Sequence, residues 1–160
     1  MICAFIALTY ACFSFLKRAR RAKWETLREL YKIKFALIAG LIYSVKDIYG
    51  GDAEPLRSLT AVTGAFISAK TPAETIAAVS KARAVLKDLD ETLKKYPPVF
   101  ESGGYSRFRD ENIKIDEKIN FASDFYDASV KKFNAAINKM PFAVVAGIFG
   151  IKPAGLTNTY

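Results

Sequence analysis

The chain has 160 residues, enough for one domain with a hydrophobic core, and carries 24 Lys and Arg against 16 Asp and Glu. It contains no histidine, and its only cysteines are Cys3 and Cys12. These counts exclude a zinc site of the usual Cys/His kind, a histidine-dependent nucleophile and a disulfide framework.

The first 16 residues carry no charged side chain, and five Lys and Arg follow between positions 17 and 23. A secretory signal peptide has its positive charge before the apolar run, so this order argues against one. A buried core helix is an alternative, but a long uncharged run is hard to cover in a small domain. A membrane anchor fits better, although residues 2–16 span only about 22 Å as a helix, against ~30 Å of hydrocarbon.

The anchor prediction assigns two sets of residues. We expect the apolar set to contact the membrane interior and the basic set to contact anionic headgroups. Because the positive charge follows the apolar run, we expect a bacterial-type, single-pass membrane protein with its N-terminus outside and its body in the cytoplasm. The apolar set is Ile2, Phe5, Ile6, Leu8, Phe13, Phe15 and Leu16, and the basic set is Lys17, Arg18, Arg20, Arg21 and Lys23.

Two helices are predicted after the basic set. Apolar residues at three- and four-residue steps predict the first, from Trp24 to Ile48, and Gly50-Gly51-Asp52 ends it. The second is shorter and covers residues 54–67. Their inward faces are Leu27, Tyr31, Ile38, Leu41, Val45 and Ile48 in the first, and Leu56, Leu59, Val62, Ala65 and Phe66 in the second.

Two further helices complete the prediction. Thr71-Pro72-Ala73-Glu74 combines the spacing of a capping box with proline at the first helical position, and Pro97-Pro98 must end the helix that starts there. Ser102-Gly103-Gly104 indicates a loop, and the last long pattern runs from about Ser106 to Lys139. The inward faces are Ile76, Val79, Ala82, Leu86, Leu89 and Leu93, then Ile115, Ile119, Ala122, Tyr126, Phe133 and Ile137.

No segment shows the sustained alternation of a half-buried strand, so the predicted class is all-α. Four amphipathic helices joined by short breaks fold most simply as an up-and-down antiparallel bundle, here preceded by one transmembrane helix. We assign residues 1–23 to the anchor and basic collar, 24–153 to the bundle and 154–160 to a short C-terminal tail. The apolar run 142–151 then returns to the anchor end, where capping the core is favoured over contacting lipid.

Several short runs follow one another in a distinctive order: Phe35-Ala36-Leu37-Ile38-Ala39-Gly40-Leu41-Ile42, Tyr96-Pro97, Tyr126-Asp127 with Phe133-Asn134, and Phe149-Gly150-Ile151-Lys152-Pro153. In order and spacing they resemble the LemA family. The resemblance implies an N-terminal transmembrane helix, a cytoplasmic helical bundle and no established enzymatic activity. The chain departs from the family's charged pair and its aromatic-acid-Leu-Ile-Pro-Asn run, where Ile33-Lys34, Ala36, Ala39 and Gly40 stand instead.

The remaining question is whether the protein catalyses a reaction or binds a partner. The carboxylate groups 88–91, 110–111 and 116–117 are typical of solvated helix faces, so we predict no catalytic residue, metal or cofactor. The excess positive charge lies beside the apolar run, so the predicted partner is anionic lipid of the inner leaflet and not nucleic acid. Protein partners and a homo-oligomer stay open.

Two functions are therefore compared. The favoured one is a membrane-anchored cytoplasmic scaffold that binds other proteins, and the alternative is a lipid-surface module that acts through the basic collar and the apolar C-terminal run. A scaffold predicts an exposed apolar patch away from the anchor. A lipid module predicts one at the membrane end.

Overall fold

The computed structural model describes residues 2–49, 54–95, 97–139 and 142–157. Within these residues all regular secondary structure is helical, which confirms the all-α class and a helical bundle. The predicted helix stop at 50–52 lies outside the described residues, as do Tyr96 and Pro141. The helices are α1 Ile2–Tyr49, α2 Glu54–Ser68, α3 Pro72–Leu93, α4 Pro97–Phe100, α5 Gly103–Ile137 and α6 Phe142–Ile148.

Helix α1 joins three segments that the sequence suggested separately. The apolar run, the basic set and the first bundle helix form one continuous helix of 48 residues. Continuity follows from composition, because this stretch has no proline and only one glycine, Gly40, and the basic set consists of good helix formers. None of the helices in the described ranges combines the length and the apolar character needed to cross a membrane.

The described residues form two compact units. The first comprises residues 1–28 and 120–159, and the second comprises residues 29–119. Helices α1 and α5 therefore each contribute residues to both units. The boundary predicted between residues 23 and 24 stays a prediction.

The second unit is built on the predicted stripes of α1, α2, α3 and α5. Phe35, which the predicted inward stripe did not include, is buried and stacks on Phe66 with ring centroids 4.0 Å apart. Ala65 is exposed, so its predicted place on the inward face is wrong. The predicted inward residues that are buried here are Tyr31, Ile38, Leu41, Val45, Leu56, Leu59, Val62, Ile76, Val79, Ala82, Leu89, Leu93, Ile115 and Ile119.

Two helix starts in this unit show how local chemistry sets the boundary. The capping box is confirmed, because Thr71 Oγ1 accepts a hydrogen bond from Glu74 N at 3.2 Å while the Glu74 carboxylate accepts one from Thr71 N. The backbone N–H groups of Lys70 and Thr71 both donate to the Glu74 carboxylate and hold the pKa of Glu74 below its usual value. The predicted loop at 102–104 is wrong in part, since Ser102 Oγ accepts from Tyr105 N and caps α5, which begins at Gly103.

The first unit is built around aromatic rings. Phe13 packs edge-on against Phe133 and Phe142, with ring centroids 6.3 and 5.5 Å apart, and Trp24 contacts Tyr126 at 5.4 Å. Val145 of α6 is buried in the same cluster as Phe13. The prediction that the apolar run 142–151 caps the core is therefore confirmed for part of the run.

Polar side chains of α5 bind the segment that follows α6. Asn134 donates its amide to Ala154 O and accepts from Ala154 N, both at 2.9 Å. Asp127, itself buried, accepts from the backbone N and the hydroxyl of Thr157 at 2.8 and 2.7 Å. Residues 151–156 are not helical, so these side chains supply hydrogen-bond partners that a helix would otherwise provide.

Gly150 makes the turn between α6 and that segment. It has φ +60°, the left-handed conformation that glycine adopts without strain. Ile151 N donates to Ala146 O at 2.9 Å and Gly150 N donates to Gly147 O at 3.3 Å, the two bonds of a Schellman helix end. The Gly150-Ile151 pair thus directs the chain back onto α5.

Replacing Gly150 by Ala should destabilise the protein by about 1 kcal/mol, because a side chain disfavours the left-handed conformation. Gly147→Ala is the matched control, since added Cβ atoms at both positions meet nothing within 4 Å and Gly147 is helical. It should be neutral or stabilising by up to about 1 kcal/mol. Urea unfolding monitored by circular dichroism measures both, and equal effects would contradict the assigned turn.

Phe133→Ala should destabilise the protein by ~3–5 kcal/mol, because the ring is buried and packs edge-on against Phe13. Lys131→Ala on the same helix is exposed and should stay within about 0.5 kcal/mol of the unmutated protein. A loss below about 1 kcal/mol for Phe133→Ala would mean that the ring is not part of a well-packed core.

Candidate functional site

The apolar residues predicted to contact the membrane divide between core and surface. Phe13 is only 3% exposed and belongs to the core of the first unit, which corrects its assignment to lipid. Leu16 is half-buried against the same cluster. Leu8 and Phe15, by contrast, are largely exposed. The side chains of Ile2, Phe5 and Ile6 lie outside the described residues, so their assignment stays a prediction.

The basic residues follow directly on the same helix. Lys17, Arg18, Arg21 and Lys23 are exposed, as headgroup contact requires. Arg20 is half-buried, with its guanidinium carbon 4.4 Å from the centroid of the Phe133 ring, a cation–π distance. Contact with the buried Phe133 ring therefore positions Arg20, whereas the other four basic residues are exposed.

The C-terminal run adds further exposed apolar surface to this unit. Val144, Ile148 and Phe149 are each more than half exposed. The Phe149 ring lies 5.3 Å from the ring of Tyr10, itself half exposed. Residues 8–15 and 144–149 thus each contribute side chains to the buried cluster that contains Phe13, and each also has apolar side chains exposed to solvent.

A cleft of about 410 Å³ opens between these two segments. Tyr10, Ser14, Lys17 and Arg20 line it from α1, and residues 149–152 line it from the C-terminal segment, including Lys152. Three cationic side chains and no carboxylate line the cleft. Such a concave surface of one charge sign concentrates a positive potential.

A separate aromatic surface lies on the part of α5 that precedes Phe133, in the same unit. The rings of Phe121 and Phe125 meet edge-on with centroids 4.7 Å apart, and both residues are exposed. Lys23 Nζ lies 5.5 Å from the Phe125 ring centroid. This pair is an exposed aromatic patch, called here the Phe121–Phe125 patch.

The second unit contains a buried ion pair that sequence reasoning missed. Lys34 is 1% exposed, and its ammonium donates a short hydrogen bond to the carboxylate of Asp116, which is 29% exposed. Asn112 Nδ2 donates to the other carboxylate oxygen at 3.2 Å. Burial lowers the pKa of Lys34, and the Asp116 hydrogen bond opposes that shift without cancelling it.

The carboxylates predicted to be solvated follow that expectation only in part. Asp90 accepts from Lys94 at 2.8 Å, an ordinary pair one turn apart, and this bond holds the pKa of Asp90 low. Asp90 also accepts from the Tyr105 hydroxyl, whose pKa rises above its usual value because the ring is buried. Asp116 is the exception, since its partner is 82 residues away in sequence. Nowhere in the described ranges do acidic or cysteine side chains gather as a metal site.

The signal for the Lys34 pair is present in the sequence. Tyr31, Lys34 and Ile38 follow the helical three- and four-residue steps, so a lysine occupies the inward stripe of α1. A charge in that stripe needs a buried counter-ion. The pattern could not say which of the acidic residues on the other helices supplies it.

A model of the LemA family matches residues 23–159. The chain belongs to the LemA family. A comparison with curated proteins found no match. The family region includes Asp127, Asn134 and Gly150, so the hydrogen bonds and the turn that attach the C-terminal segment lie within the LemA part of the chain, whereas residues 1–22 lie outside it.

In this LemA chain, Asp116→Asn should destabilise by about 3 kcal/mol near neutral pH, because it leaves a buried ammonium without a counter-ion. Lys34→Met should cost much less, since Asp116 is partly exposed and keeps the Asn112 donor. Urea unfolding of both variants measures the asymmetry. Equal losses would contradict the idea that Lys34 is the costly partner.

The same pair predicts a pH dependence. The pKa of Lys34 in the folded state lies below the unfolded value of 10.5, so between the two the unfolded chain binds more protons and stability rises with pH. Asp116→Asn removes the interactions that raise this pKa. The variant should therefore recover part of its lost stability as pH increases toward 10.5, relative to the unmutated protein in the same buffers.

Proposed function

We propose that the protein binds the surface of an anionic membrane through its first unit and holds its helical bundle there for interaction with other molecules. The observation that carries the proposal is the exposed apolar surface of residues 8–15 and 144–149, followed along α1 by the basic set. This distribution favours the lipid-surface alternative over the scaffold, because these two short segments hold six of the twelve exposed large apolar residues of the described ranges, and the basic set follows directly on α1.

The apolar side chains supply one part of the binding free energy. Fully burying a Leu, Ile or Phe side chain contributes roughly 1.5–3 kcal/mol, and Leu8, Phe15 and Ile148 are all largely exposed. Phe13 and Leu16 pack on protein, so this part of α1 presents one apolar face and not an apolar circumference. One apolar face is typical of a helix that lies in the membrane interface.

The basic side chains supply the other part. Each Lys or Arg near an anionic leaflet contributes about 1 kcal/mol, and added salt weakens this attraction. Lys17 and Arg20 line the cleft together with Lys152, so the C-terminal segment adds a cation to the collar. Cytoplasmic orientation belongs to this proposal, because basic residues favour that side.

The finer architecture also belongs to the proposal. The up-and-down antiparallel order of the long helices brings the end of α5 back to residues 9–16, consistent with the ring contact between Phe13 and Phe133. A single-pass span by residues 2–16 remains the competing form of attachment. We expect no catalytic activity.

A second candidate function is the scaffold, and the Phe121–Phe125 patch favours it. Exposed aromatic rings are enriched among the residues that dominate protein interfaces. The patch lies on α5, away from residues 8–15 and 144–149 in sequence. A protein partner would be expected to cover these two rings and Lys23.

Vesicle binding tests the membrane proposal. Phe15→Ser and Ile148→Ser, at positions that are each 70% exposed, should weaken cosedimentation with phosphatidylglycerol-containing vesicles by about tenfold, because each removes an apolar contact. The matched controls are Phe121→Ser and Ile67→Ser, at positions 68% and 76% exposed, which should bind normally. Neutral phosphatidylcholine vesicles should bind all five proteins weakly.

Equal losses in the variants and their controls would overturn the assigned membrane face. Extraction of cell membranes with alkaline carbonate separates the two forms of attachment, because it releases interfacial proteins and leaves spanning helices in place. For the scaffold, a photo-crosslinker at position 121 should capture a protein that Phe125→Ser fails to capture.

A further inference from the structure

The second unit contains a cavity of about 220 Å³ beside the buried Lys34–Asp116 pair. Helix α3 contributes Arg83, Lys87 and Asp90 to its lining, and α5 contributes Arg109 and Asn112. This volume is several times the ~30 Å³ that one water molecule occupies in the liquid. The cavity is therefore large enough for a small polyatomic ligand.

Positive charge is in excess around this cavity. Both lining carboxylates have a cation of their own, Asp116 in Lys34 and Asp90 in Lys94. Among the described residues, Arg83 and Lys87 have no carboxylate within 4.0 Å. Arg109 lies over the Phe100 ring at 5.0 Å and makes no ion pair with a described residue. Three cations thus remain available to an anion.

Asn112 adds a requirement that a bare anion does not meet. Its Nδ2 donates to Asp116, and its Oδ1 is buried with no hydrogen-bond partner in the described residues. A buried acceptor without a donor costs about 1–3 kcal/mol. A ligand for this cavity should therefore carry negative charge for the three cations and one O–H or N–H for Asn112 Oδ1.

We propose that this cavity binds inorganic phosphate in its monohydrogen form, a dianion that keeps one P–OH. The anionic oxygens accept from Arg83, Lys87 and Arg109, and the remaining P–OH donates to Asn112 Oδ1. Arginine is suited to this role because its planar fork of donors matches phosphate oxygens. The Lys34–Asp116 pair binds no ligand itself, but it orients Asn112 through the bond to Asp116.

Sulfate provides the discriminating comparison. It has the same tetrahedral shape as phosphate but carries no proton near neutral pH, so it can use the three cations and cannot donate to Asn112. We expect isothermal titration of the full-length protein in non-ionic detergent, at fixed ionic strength, to give about tenfold tighter binding for inorganic phosphate than for sulfate.

Variants assign the site. Arg109→Gln and Arg83→Gln should each weaken phosphate binding about tenfold, while Lys81→Gln, an exposed α3 control outside the cavity, should not. Asn112→Leu should remove the preference for phosphate over sulfate, and thermal unfolding confirms that each variant is folded. Absence of phosphate binding, or binding that ignores Arg83 and Arg109, would overturn the site. An equal affinity for sulfate would overturn the role of Asn112.

Discussion

The first unit depends on how the C-terminal segment is attached. Residues 151–156 have no helix of their own, and α5 supplies their partners through Asn134 and Asp127. This attachment, with the turn at Gly150, brings α6 onto Phe13 and Phe133 and places Lys152 in the cleft with Lys17 and Arg20. The polar bonds are few, yet the apolar cluster and the basic cleft both require them.

The second unit places a charge in its core. A buried lysine is stabilising only when its partner and surrounding donors are well arranged, and replacement of such pairs by apolar residues is often neutral or better. The Lys34–Asp116 pair also has a positioning effect, because the Asp116 carboxylate accepts a hydrogen bond from Asn112 Nδ2 and so orients Asn112 in the lining of the charged cavity. The cavity proposal and the membrane proposal use different units, so neither depends on the other.

Much of this architecture was predictable from the pattern of residues. The stripes at three- and four-residue steps identified Leu27, Tyr126 and Phe133 as core, and the capping box identified the start of α3, because both signals are local. The pairing of Lys34 with Asp116 was not predictable, since a helical stripe indicates that a lysine is buried but not which distant acid meets it. The start of α5 at Gly103 was missed because a glycine pair signals a loop unless the preceding serine is recognised as a cap.

The candidate membrane site was predicted with one type of error. Uncharged residues at the N-terminus were assigned to lipid as a set, but helical geometry divides them, so Phe13 packs inward while Phe15 remains exposed. Composition alone does not show which of these residues face inward and which stay exposed. It becomes visible only when the C-terminal run is known to lie against one face of α1.

The pairing of the first residues with the last has a consequence for synthesis. Phe13 leaves the ribosome early, whereas Phe142 and Val145, which cover it, are added about 130 residues later. At ~5–20 residues per second, the interval is on the order of ten seconds. During that time Phe13 lacks the residues that cover it in the completed fold, so the nascent chain offers more apolar surface to a bilayer or a chaperone than the finished protein does.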